Sequence, residues 1–255
     1  MLNQRAIKLL QDLIEIESFS KNESGTAKRL EKWFQDSSIP FQRKENNLWA
    51  VNKSFDPKKP TLLLNSHHDT VLPNKAYTRD PFRAEILDGK LYGLGSNDAG
   101  GALVSLLACF NYFYENPNLK YNILMVASAE EETAGDKSLR YLIPYLPKID
   151  FAIIGEPTQM ELAIAEKGLV VFDIEIKGTP SHAAHPNKDN PLMKLPEIIK
   201  KIENISFEKV SPILGPVKLT LTQINAGSQH NVVPSEVKLV LDVRVNECYK
   251  NHEID

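Results

Sequence analysis

The hydrophobic pattern of this chain changes kind once, near Glu166, and that change limits its fold more than any other feature. Before it, short apolar runs alternate with helical patterns. Asn122–Ala127 (NILMVA) and Phe151–Ile154 are continuous apolar runs of strand length, the pattern of strands covered on both faces. Asn47–Val51, Thr61–Asn65 and Lys90–Tyr92 are further short runs. Between them, Leu2–Glu17 repeats Ile7, Leu10, Leu13, Ile14 and Ile16 as an amphipathic helix. Thr26–Gln35 reads as a second helix, stopped before Pro40. Gly101–Tyr114 is apolar nearly all round and is expected to be a buried helix, and Ser138–Leu146 a short one. Strands alternating with helices predict an α/β domain with a largely parallel sheet. After Glu166, Leu169–Lys177 (LVVFDIEIK), Val217–Ile224 and Val237–Val245 alternate apolar with polar, with one helix, Leu192–Ile205, among them. Strands with one wet face predict an antiparallel sheet covered on one side. The expected fold is thus an α/β domain over residues 1–166, built on a mostly parallel sheet, followed by a smaller α+β domain over residues 167–255.

Composition removes several function classes. With 30 basic and 33 acidic residues the net charge is −3, which is no electrostatic footprint for nucleic acid. The longest mostly apolar stretch, Ala102–Phe113, is too short to span a bilayer. Asp12, Glu15 and Glu17 lie where a secretory leader would be apolar. Cys109 and Cys248 form no CxxC pair, against both a disulfide scaffold and a thiolate zinc site. The expectation is a cytoplasmic protein with neither nucleic-acid nor membrane partners.

The chemistry-bearing residues gather at strand ends. His67, His68 and Asp69 close the run TLLLNSHHD; in extended chain His67 and Asp69 face one way and His68 the other. A carboxylate two residues from an imidazole suits a metal-bound histidine held in one tautomer, or a plain polar turn. In GKLYGLGSNDAGGA, Asp98 stands at the start of a helix, as an N-cap or as a carboxylate bridging two cations. The loop lacks GKS, GKT and GxGxxG, which argues against phosphate binding. Glu130, Glu131 and Glu132 follow the run NILMVAS, and Glu156 follows Ile153–Gly155. Adjacent carboxylates repel unless metal ions or a solvated loop relieve them. Together, one imidazole and several carboxylates suit a dinuclear site of zinc or a neighbouring divalent ion. Asp98, Glu132 and Glu156 would then hold two cations and leave Glu131 free as a general base.

The motifs SHHDTVLP, RDPF, DGKLYGLGSNDAGG, AEEET, IIGEPT, GTPSHAAHP, NVVP and LDVR occur in that order. This ordered set resembles the co-catalytic zinc aminoacylase and carboxypeptidase superfamily, and AEEET and SHHDTV look most like its acetylornithine deacetylases of arginine biosynthesis. The resemblance implies a zinc-dependent amidohydrolase with two divalent ions, zinc first, with cobalt or manganese as alternatives. It implies that His67 and Glu156 hold the first ion, that Asp69 orients His67, that Asp98 bridges, that Glu132 holds the second ion, and that Glu131 is the general acid/base. It also implies that His182 of an inserted lid polarises the scissile carbonyl in a partner subunit, within a homodimer formed through the lid, and that Asn231 and Arg244 hold the substrate.

Ala99 and Gly100 depart from the Met-Lys that often follows the bridging aspartate, and Tyr77 from a frequent tryptophan. The family's final histidine ligand has no match, since His252 lies within the lid pattern. The expectation is an N-terminal portion of a longer deacylase with an incomplete second metal site. The expected substrate is a small N-acyl amino acid, N-acetyl-ornithine first, with succinyl-diaminopimelate as runner-up. A non-catalytic metal-binding or dimerisation fragment is the reading from another class.

Overall fold

In the computed structural model, which describes residues 2–254, the N-terminal helical repeat forms α1 (Leu2–Ile14) and turns Ala6, Leu9, Leu13 and Ile14 inward. There follow α2 (Ser24–Asp36), β1 (Gln42–Lys44), β2 (Asn47–Val51), β3 (Thr61–His67), β4 (Glu85–Leu87), β5 (Lys90–Tyr92), α3 (Gly101–Phe113), β6 (Asn122–Ser128), α4 (Leu139–Leu142) and β7 (Phe151–Ile154). The chain divides into two units, Met1–Met160 and Glu161–Asp255, so the division falls earlier than the pattern change at Glu166.

The first unit is built on a five-stranded sheet in the order β1-β2-β6-β3-β7. Strands β6, β3 and β7 run parallel, whereas β1 and β2 join antiparallel. All seven residues of β6 are buried, because both faces of the sheet are covered. Met125 and Ala127 pack with Leu9, Leu30 and Leu107 of the three helices. Leu124 and Val126 face the other way, against Trp49, Leu63 and Leu142.

Two expectations of burial need correction. All four residues of β7 are exposed. Among the described residues it has β3 on one side and no strand on the other, and a continuous apolar run does not tell a central strand from an edge. Helix α3 buries one stripe, Leu103, Val104, Leu107 and Phe110, at three- and four-residue spacing. Its other face is open, with Tyr112 74% exposed.

The second unit contains β8 (Gly168–Lys177), β9 (Ser181–His182), α5 (Pro191–Glu203), β10 (Lys218–Ala226), β11 (Val232–Val233) and β12 (Glu236–Val245). Strand β12 lies between β10 and β8, antiparallel to both. Its alternate residues Val237, Leu239, Leu241, Val243 and Val245 are buried, the period of two that the sequence displays. Leu195, Ile198 and Ile202 of α5 pack on that face. Asn190 caps α5 by accepting from the Leu192 N–H, and Pro191 occupies the first turn, where a missing N–H costs nothing.

Candidate metal centre

Parallel pairing puts the carboxyl ends of β6, β3 and β7 side by side. His67 is in register with Ser128, and Asn65 with Ile154. The chain leaving each strand therefore carries His67–Asp69, Glu130–Glu132 and Glu156 to one end of the sheet, where open α/β sheets place their sites.

His67 is 1% exposed. Its Nδ1 has only acceptors near it, the Asp69 carbonyl at 3.0 Å and the Asp69 carboxylate at 3.3 Å, so Nδ1 carries a proton and donates. Its Nε2 faces Asp98 Oδ1 at 3.2 Å, Glu156 Oε2 at 3.7 Å and Glu131 Oε2 at 3.8 Å. Burial opposes charge on the ring, but the carboxylates of Asp69 and Glu156 outweigh it and raise the pKa from 6.5 to about 11. His68 points the other way, as extended chain requires. It is buried between Thr26 Oγ1 and the Asn46 carbonyl, both at 2.9 Å, and burial lowers its pKa.

Asp69 is a buried anchor. Its Oδ2 accepts from Ser20 Oγ at 2.7 Å and from the Glu132 N–H at 3.1 Å, and its Oδ1 from the Glu131 N–H at 3.1 Å. Burial pushes its pKa up, but His67, Ser20 and the Glu131 amide hold it below the usual carboxylate value. Asp98 does not cap α3. It sits in a wide turn, Ser96–Gly100, with φ −111° and ψ 101°, and Gly100 occupies the position before the helix. The turn is entered through Gly95 at φ 73°, a conformation that glycine adopts without a steric penalty.

Among the described residues, His67, Asp98 and Glu132 form the trio whose donor atoms all lie within 4.8 Å of one another. Glu131 and Glu156 border His67 outside that trio. The carboxylates crowd one another. Burial and then the charge of Asp98 push Glu132 up to about 7, and burial together with Glu156 raises Glu131. The imidazole and the carboxylates gathered around it, Glu131 and Glu132 with raised pKa among them, form one compact donor set. Its nitrogen and oxygen donors suit a divalent cation, zinc among them.

The remaining expected site residues lie in the second unit. His182 is on β9, exposed, its Nδ1 accepting from the Ala184 N–H at 3.1 Å. The Asn231 carbonyl accepts from the Ala183 N–H at 2.9 Å, so Asn231 stands at the end of the β9–β11 ladder, in which His182 pairs with Val232. Arg244 stands apart from that ladder on β12, where it forks onto Asp242 at 2.9 and 3.1 Å.

Several supporting residues carry no signal in the sequence. Ser20 and Glu23 lie around the start of α2, and Asn47 opens β2. Asn47 is fully buried, accepts from the Ala129 N–H at 3.0 Å and donates to the Lys137 carbonyl at 2.7 Å. It thereby clamps both ends of the loop that bears Glu131 and Glu132. Beside Asp98 and Glu132 opens a cleft of about 540 Å³, lined also by Tyr77, Arg79, Tyr92 and Asn97. The Arg79 guanidinium pairs with Glu85 and lies 4.2 Å from the centre of the Tyr92 ring.

The chain is 31% identical over 260 residues to a succinyl-diaminopimelate desuccinylase of Rickettsia canadensis, and 29% identical over 259 residues to one of Wolbachia pipientis wMel. These alignments take in 96% and 94% of this chain and 64% of each relative, so the chain spans less than two thirds of their length. An M20 family metallo-carboxypeptidase from Sulfolobus solfataricus superposes with a TM-score of 0.72 over 98% of this chain and 73% of its own, at 17% identity, a likeness of fold. The model of peptidase family M20/M25/M40 matches residues 63–229, which run from within β3 through the acidic loop, Glu156 and β9. The chain belongs to peptidase family M20/M25/M40.

Proposed function

We propose that the protein formed by this chain is a metal-dependent amidohydrolase of small N-acylated amino acids. The observation that carries the reading is the convergence of His67, Asp98 and Glu132 at the carboxyl end of a parallel sheet, with Glu131 and Glu156 beside them. In this reading His67, Asp98, Glu132 and Glu156 would hold divalent metal, zinc first. When bound, a divalent ion supplies Lewis acidity at the scissile carbonyl. Glu131 takes the proton of the attacking water and hands it to the departing amine, a task suited to a carboxylate whose pKa is already raised. Asp69 fixes the tautomer and direction of His67 through Nδ1.

The substrate we assign is an N-succinyl amino acid, N-succinyl-diaminopimelate first. The names of the relatives support this ahead of N-acetyl-ornithine, which reverses the order drawn from the sequence motifs. Residues 1–166 would then be the catalytic domain and 167–255 the lid through which a homodimer forms. His182 would stabilise the developing oxyanion, and Asn231 and Arg244 would bind substrate. A cytoplasmic location belongs to the same reading. No described helix is long and apolar enough to cross a membrane.

The test is amine release from N-succinyl-diaminopimelate by the native gene product, with and without a chelator. Chelator-sensitive release is expected, and Glu131→Gln should abolish turnover while metal binding persists. Absence of release from a folded, metal-loaded sample contradicts the succinyl assignment, and absence with N-acetyl-ornithine as well contradicts the hydrolase reading and favours a metal-binding module.

A further inference from the structure

Glu23 is 0% exposed and has no role in the reaction described above. It stands at the N-cap of α2, where an acidic side chain ordinarily turns back to cap its own helix. Here it makes no such bond. Its Oε1 instead accepts from the Lys21 N–H at 2.6 Å and from the Glu130 N–H at 3.2 Å, a residue 107 positions away, and its Oε2 accepts from Asn46 Nδ2 at 2.8 Å. A carboxylate buried without a cation is costly unless donors surround it. Its bonds here run to two loops and to the metal-site turn.

The Glu130 end of that contact is itself under constraint. Glu130 is buried, at 6% exposure, and has φ +56°, a left-handed conformation that a residue with a Cβ adopts only when its surroundings hold it there. The next two amides, of Glu131 and Glu132, are held by Asp69. Three consecutive N–H groups are thus tied to two buried carboxylates from different parts of the chain, and the direction of the backbone at Glu131 and Glu132 is set at both ends.

From this geometry we infer that Glu23 is a positioning residue for the metal centre: by holding the Glu130 amide it fixes the turn that aims Glu131 and Glu132 at His67 and Asp98. The inference rests on the metal reading of that cluster. Without the Glu23 carboxylate the buried Glu130 N–H loses its partner, and the turn loses the tie that sets its direction at that end. Glu132 then leaves the position where its donor atom lies within 4.8 Å of those of His67 and Asp98. Asn46, by contrast, touches only the far oxygen of Glu23.

Cobalt(II) binding to the whole chain, followed by visible absorption, tests this without recourse to activity. Glu23→Ala should weaken cobalt affinity by about 10- to 100-fold, the range for residues that orient metal ligands, and should change the absorption bands. Glu23→Gln retains one acceptor oxygen for the Glu130 amide and should recover most of the affinity. Hydrogen exchange of the wild-type chain gives a reading that needs no variant to fold: the Glu130 amide should be protected along with those of Glu131 and Glu132.

Cobalt affinity and spectrum in Glu23→Ala equal to wild type would overturn the inference and leave the metal reading standing. Fast exchange at the wild-type Glu130 amide overturns it too. A wild-type chain that takes up no cobalt contradicts the metal reading, and the inference with it.

Discussion

If the substrate is the N-succinyl amino acid proposed above, Arg79 is the residue that would separate a succinyl from an acetyl group. It is the one cationic side chain among the described residues lining the cleft beside Asp98 and Glu132. A succinyl group ends in a carboxylate and an acetyl group in a methyl, so only the former gains from a guanidinium there. A hydrogen bond to a charged group is worth about 1.5–3 kcal/mol, or roughly tenfold to a hundredfold in binding. Arg79→Ala should therefore raise KM for the N-succinyl substrate by at least about tenfold and leave that for the N-acetyl analogue nearly unchanged. Steady-state kinetics on both substrates checks this, and equal losses on both would remove Arg79 from specificity. At this scale the sequence was legible where position along a strand decides direction. The opposed facing of His67 and His68 follows from the two-residue repeat, and both imidazoles obey it. Glu23 and Asn47 were not legible. Their partners, Glu130 and Ala129, lie 107 and 82 residues away, and no local spacing announces such a contact.

Helices α1 and α2 are joined by a salt bridge as well as by packing. Arg29 Nε lies 2.7 Å from Asp12 Oδ2, and Lys8 Nζ lies 2.8 Å from Asp12 Oδ1. Burial raises the pKa of Asp12, but Lys8 and Arg29 outweigh it and hold the pKa below 3.8. A carboxyl depressed in the folded state stabilises the fold above its unfolded pKa, and that stability disappears as the pH falls through the folded value. Asp12→Asn should therefore cost on the order of 1 kcal/mol or less near neutral pH, and nothing once both chains are acidified below the folded pKa of Asp12. Denaturant unfolding of the two proteins across pH 2 to 7 measures the convergence; about pH 4 is where the gap should begin to close. Element type was readable from period alone, as in the alternation of β12 and the helical stripe of α1. Element burial was less so: β7 is apolar throughout and α3 nearly so, and whether a neighbour covers them depends on the place of β7 in the sheet and on what packs beyond the outer face of α3.

At the scale of the molecule, each unit has its own apolar core. Leu9, Leu30, Leu107 and Met125 belong to the first, and Leu239, Leu241 and Val243 to the second. Between Ile154 and Gly168 the chain forms no helix or strand, and Met160, Leu162 and Ile164 are 99%, 86% and 79% exposed. Exposed chain without backbone pairing is the preferred substrate of proteases. Limited proteolysis should cut first within residues 155–167 and leave two resistant fragments; a first cut inside β6 or β12 would contradict the division. The single change of hydrophobic period near Glu166 announced two architectures. It did so because a parallel sheet covered on both faces and an antiparallel sheet covered on one leave different imprints on sequence.

On the proposed reading the end of the first sheet holds a divalent metal. Equilibrium dialysis of the whole chain against zinc, with the metal counted by atomic emission, tests it directly. Tight uptake is expected of the wild-type chain, and its loss in His67→Ala, which removes the imidazole facing Asp98 at 3.2 Å. A folded wild-type chain that retains no zinc, or a His67→Ala chain that retains as much, would contradict it.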